Sequence, residues 1–179
     1  MKTLAGVVLL GLAVAAPVQA AVKDAQPNGF TLENSEWVPV APQVAYAALV
    51  NDVGRWWPAD HTWWGDASKL SISDKAGGCF CEIDGAQQAW HMTVTFNDPG
   101  KLMRMTGGLG PLQGMGLHGA LEWRFAEENG GTRITLWYRA GGYTPDDIGK
   151  FAPVVDKVQG LQLGGLATFL RKGNEGAPR

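Results

Sequence analysis

The stretch from Thr144 to Lys172 constrains the fold of this chain more than any other. Ile148, Phe151, Val155, Val158, Leu161, Leu166 and Phe169 recur at helical spacing. Thr144 is placed to cap, Pro145 suits a first helical position, and Asp146 and Asp147 suit the positive end of the dipole. Arg171 and Lys172 occupy the last turn, with Gly173 and Asn174 just beyond. Pro153 interrupts the run, which predicts a short leading turn, a kink, and a main helix from about Pro153 to Arg171. Such a helix is roughly 28 Å long. One apolar stripe on it must be buried against a second layer.

The chain upstream supplies a sheet. Phe30 to Val38 alternates weakly as a first strand, and Pro42 opens a short helix whose apolar face is Val44, Ala45, Ala48 and Leu49. Asp52 to Trp64 is aromatic and irregular, with Pro58 ending any helix. Strands are expected over Leu70–Ser73, Cys79–Ile83, Ala89–Phe96, Leu102–Thr106, His118–Ala126 and Thr132–Ala140. Alternation in the third of these places Trp90, Met92, Val94 and Phe96 on the dry face, with His91, Thr93 and Thr95 on the wet one. Asn129-Gly130 suits a two-residue hairpin turn. That turn sets Phe125 opposite Ile134, Trp123 opposite Leu136 and Leu121 opposite Tyr138, so apolar meets apolar. The fold class is therefore α+β, an antiparallel sheet whose dry face a C-terminal helix covers.

Met1 to Ala20 has the form of a cleaved export signal: Lys2, an apolar run from Leu4 to Ala16, and small residues at Val18-Gln19-Ala20. The run is too short for a membrane anchor and ends at Pro17. The remaining 159 of 179 residues suffice for one domain with a substantial core. Without Lys2 there are 14 basic and 17 acidic residues and no basic block, which argues against a nucleic-acid partner. Eight Trp in so small a chain can pack a core or line a pocket for an apolar ligand.

This order of elements resembles the START-like (SRPBCC) superfamily, in its polyketide-cyclase/dehydrase and heat-shock-ATPase-activator-like branches. The residues that carry the resemblance are Pro42 to Leu49, Trp56-Trp57, Gly77-Gly78-Cys79-Phe80-Cys81-Glu82, Gly108 to Leu112, Gly131 to Leu136, and Val155 to Phe169. The resemblance implies a helix-grip fold: a curved sheet wrapped round the long helix, two short helices after the first strand, and a deep cavity between sheet and helix. It implies no universal catalytic set. The division expected is a signal at residues 1–20, an N-terminal linker at 21–29, the domain at 30–172 and a flexible tail at 173–179.

Trp57, His61, Trp64, Trp90, Met92, Met105, Trp123, Tyr138 and Gln162 are the residues expected to line such a cavity. Gln162 breaks the helix stripe four residues after Val158 and four before Leu166, so a buried amide there needs a partner. The Gly107–Gly116 stretch lacks the Lys-Ser/Thr of a phosphate loop and is expected to be a mobile loop over the cavity mouth. Cys79 and Cys81, at i and i+2 on a strand, would have Cα atoms about 6.5–7 Å apart. That spacing favours free thiols over a disulfide. No metal-ligand spacing and no cofactor motif are present, so neither a metal nor a cofactor is expected.

The function expected is binding of a small hydrophobic or amphipathic molecule by an exported protein. Two other readings stay open. One is a cyclase- or dehydratase-like enzyme, for which His61 and Glu82 are the titratable candidates. The other is an envelope protein with a protein partner at an apolar patch near Trp63-Trp64.

Overall fold

The computed structural model describes residues 21–145 and 147–175. The expected signal at 1–20 and the end of the expected tail, 176–179, lie outside the described residues. Eight strands form one antiparallel sheet: β1 (Ala21–Gln26), β2 (Gly29–Val38), β3 (Leu70–Ile72), β4 (Cys79–Asp84), β5 (Gln87–Asp98), β6 (Leu102–Gly107), β7 (His118–Glu128) and β8 (Gly131–Gly141). Their spatial order is β1-β2-β8-β7-β6-β5-β4-β3. Helices α1 (Pro42–Asn51) and α2 (Val53–Trp56) follow β2, a short helix α3 (Pro111–Gly114) precedes β7, and α4 (Ala152–Glu175) closes the fold. Among the described residues no helix is long and apolar enough to cross a membrane.

Residues 21–29, expected to be a linker, begin with β1, which adds an edge strand to β2. Helix α4 also continues through Gly173 to Glu175, into the expected tail. Before α4, a single 3-10 turn at Ile148–Phe151 takes the place of the expected leading helical turn. Asp147 caps that turn, accepting from the Gly149 amide at 3.1 Å, where Thr144 had been the expected cap.

The β7–β8 hairpin has the expected register, with Phe125 opposite Ile134, Trp123 opposite Leu136 and Leu121 opposite Tyr138. Asn129 and Gly130 both adopt positive φ (52° and 73°), the conformation a two-residue primed turn requires.

Strand β5 departs from simple alternation. Phe80 pairs with Met92 and Cys81 with Trp90, so His91 is an extra residue facing β4. Val94 pairs with Met105 and Phe96 with Arg104, so Thr95 is a second extra residue facing β6. Each bulge moves the residues beyond it to the other face. Met92 and Val94 point inward as expected, but Trp90 (51% exposed) and Phe96 (43%) point out. His91, expected on the wet face, is buried.

The bulge register accompanies a second correction. Cys79 and Cys81 are disulfide-bonded, with their Cα atoms 5.5 Å apart rather than at full strand spacing. That separation lies within the range a disulfide spans.

Helix α4 carries two adjoining seams. Ala152, Asp156, Gln159, Leu163, Leu166, Ala167 and Leu170 are buried at i, i+3/i+4 spacing. The apolar stripe visible in the sequence lies one residue round: Phe151, Val155, Val158 and Gln162 border a cavity. Leu161, expected in that stripe, is 49% exposed. At Gly165 the helix crosses α2 so closely that a Cβ there would run into the Trp56 carbonyl. Arg171 ties the far end to β2, donating to Glu36 and to the Trp37 carbonyl, each at 2.6 Å.

Candidate functional site

Between α4, the sheet and the segments that follow α2 and β6 lies a cavity of about 430 Å³. Trp57, Leu70, Phe80, Leu109, Leu112, Met115, Val155 and Val158 make most of its wall apolar. Trp63, Phe151 and Val154 also line it and are 51%, 40% and 61% exposed, so they form an apolar mouth. Residues 109–112 and Met115 cover one side. Gln113 fastens that cover to the sheet by donating to the Trp90 carbonyl at 2.6 Å.

Of the nine residues expected in the cavity, Trp57, His61, Tyr138 and Gln162 line it. Met92, Met105 and Trp123 are instead fully packed core residues, and the Trp123 ring meets Trp56 edge-on at 5.9 Å. Trp90 is turned outward by the bulge at His91. Trp64 does not line the cavity, but its backbone amide donates to Glu82 at 3.1 Å.

Alternation alone does not reveal His91, Asp60 or Gln159 as cavity residues. Gln159 was detectable, since it stands three residues before Gln162 on the same helix face. His91 was not, because no hydrophobic pattern announces a bulge.

The polar groups in this apolar space are few. Among the described residues, Gln159 (1% exposed) has a partner for neither its amide nitrogen nor its oxygen, and the oxygen of Gln162 and Nδ1 of His61 are also buried without partners. The Tyr138 hydroxyl accepts from the Leu109 amide at 3.3 Å. Burial pushes this phenol up to about 12, with the Leu109 N–H pulling the other way. It is therefore protonated at neutral pH.

Behind the wall, Glu82 is fully buried and accepts from the Trp63 and Trp64 amides at 3.0–3.1 Å. One of its oxygens is 3.4 Å from Nε2 of His91, whose ring lines the cavity. Burial holds the His91 ring below the ordinary imidazole value, against the opposing pull of Glu82. The Phe80 ring packs beside it, with centroids 5.1 Å apart.

Among solved structures, Mll3558 from Rhizobium loti superposes with a TM-score of 0.58 at 16% identity, covering 78% of this chain and 96% of its own. CalU16 from Micromonospora echinospora gives 0.55 at 14% identity, covering 89% and 90%. The Aha1 dimer protein from Colwellia psychrerythraea gives 0.57 at 15% identity, covering 80% and 97%. This chain has the helix-grip fold. No protein-family model and no curated protein matches the sequence. At these identities the likeness establishes the fold alone, and activity has to be argued from the cavity itself.

Proposed function

We propose that the protein binds a small hydrophobic or amphipathic molecule in this cavity, after export directed by Met1 to Ala20. The observation that carries this reading is the pair of buried glutamines facing an apolar space. Buried amides ordinarily find hydrogen-bond partners, and Gln159 and Gln162 have unpartnered atoms at the cavity wall. A mostly apolar wall with a few convergent polar groups is the usual form of a small-molecule site.

The wall also indicates the head group. Among the described residues it carries the carboxylate of Asp60 and no Lys or Arg. A hydroxyl, carbonyl or amide satisfies the glutamines, whereas a carboxylate would enter an apolar space with no cation to meet it. A second reading, catalysis on such a molecule, draws support from the Glu82–His91 contact at the wall.

Native mass spectrometry of the purified protein should reveal a co-purified uncharged amphiphile. Fluorescence titration should rank a long-chain alcohol and amide above the matched carboxylate, with Trp57 and Trp63 reporting. If none of the three binds below millimolar concentration, the cavity reading fails and a protein partner at the Trp63 mouth becomes the reading to test.

A further inference from the structure

We propose that Glu82 and His91 form a general-base pair that takes a proton from the carbon next to a carbonyl in a molecule held in the cavity. This rests on the cavity being a small-molecule site and names the chemistry done there.

Three placements support it. Glu82 is oriented, because the Trp63 and Trp64 amides hold its oxygens from one side while His91 Nε2 lies 3.4 Å away on another. An acceptor at Nε2 keeps the hydrogen on that nitrogen, which leaves the Nδ1 lone pair as the basic site. The ring reaches the cavity because His91 is the extra residue of the β5 bulge. Bulges commonly re-aim a side chain beside an active site.

The step balances without a further reactant. The Nδ1 lone pair takes the proton. The electrons of the broken C–H bond form a carbon–carbon double bond, and the carbonyl π pair moves to oxygen. The Tyr138 hydroxyl and the unpartnered Gln159 amide share the cavity wall and are the donors available to that oxygen. Glu82 stabilises the imidazolium, which returns the proton to another carbon of the conjugated system, giving a double-bond isomer. His91 is the catalytic residue and Glu82 positions it. Among the described residues, Asp60, His61 and Tyr138 are the other titratable groups on the wall.

A nitrobenzisoxazole tests this base with the full exported chain. Removal of its ring C–H proton forms a nitrile as the N–O bond breaks, releasing a coloured cyanonitrophenolate. The wild type should accelerate the reaction by about 10²-fold or more over buffer, and His91→Gln should lose that acceleration. His118→Gln, an exposed position on β7, should keep it. The wild-type rate should fall in acid as His91 gains its proton. Glu82→Gln should slow the reaction and move that acid limb further down, because Glu82 pulls the ring upward. The wild-type profile needs no variant to fold. Binding of unreactive nitroindazole is measured alongside. Binding without acceleration, or acceleration that survives in His91→Gln, overturns the base and leaves the binding reading standing. Absence of nitroindazole binding overturns both.

Discussion

The Asn34 side-chain amide on β2 donates to the Asp156 carboxylate on α4 at 2.9 Å, and both groups are buried in the seam between helix and sheet. Removing one partner leaves the other buried and unmatched. Asn34→Leu should therefore cost about 1–3 kcal/mol. The double variant with Asp156→Leu should cost less than the sum of the two single changes, because no polar group is then stranded. Urea denaturation of the four proteins completes the cycle. Strict additivity would show that the pair contributes nothing as a pair.

Gly164 and Gly165 are neighbours with opposite expectations. A Cβ at Gly165 meets the Trp56 carbonyl, whereas at Gly164 it meets nothing within 4 Å. Gly165→Ala should destabilise by about 1–3 kcal/mol through forced separation of α4 from α2. Gly164→Ala should stabilise by about 0.5–1 kcal/mol through helix propensity. Thermal melts of the two variants should move in opposite directions.

Replacing Gln162 with Leu removes one of the amides at the cavity wall. Affinity for a long-chain alcohol or amide should weaken by about 0.5–1.5 kcal/mol, while a purely apolar probe keeps or gains affinity. Gln159→Leu should behave alike and add a gain in stability, since both ends of that amide are unpartnered. Equal affinities in all three proteins would place the ligand's polar group elsewhere.

Thiol labelling of denatured, unreduced protein should find no reactive cysteine, because Cys79 and Cys81 are bonded to each other. Two labelled thiols per chain would contradict the structure.

Glu122 lies on the outer face between Arg104 and Arg124. Burial pushes its carboxyl up, but hydrogen bonds and charge from both arginines prevail and hold it below the usual range. A carboxylate lowered on folding contributes stability above its unfolded pKa of about 4.3, and that contribution is lost as pH falls through the lower folded value. Glu122→Gln should flatten the acid limb of a stability-versus-pH curve. It should also reduce stability at neutral pH.

The sequence made some of this legible and hid the rest for physical reasons. Asn129-Gly130 permits one hairpin register, so every β7–β8 pair could be assigned in advance. The helix stripe at Phe151, Val155 and Val158 was also real, but it marks the wall of a cavity rather than the packing seam beside it. The seam itself contains Asp156, and Gln159 belongs to both seam and wall; apolar periodicity detects neither. In β5 the failure was one of parity. Alternation assigned Trp90 inward and His91 outward, and a single unpaired residue reversed both. The spacing argument against a bond between Cys79 and Cys81 failed because their Cα atoms stand 5.5 Å apart, short of full strand spacing.

The bulge at His91 means that this wall of the cavity is encoded by length as much as by composition. Deleting one residue there would leave the apolar content of β5 untouched. It would also restore regular pairing with β4 and withdraw the imidazole, while Trp90 would keep its outward face opposite Cys81. A library of substitutions would never sample that change, whereas a library of single-residue insertions and deletions across 87–98 would meet it at once. For this sheet, tolerance to insertion and deletion is the more sensitive map of where the site lies.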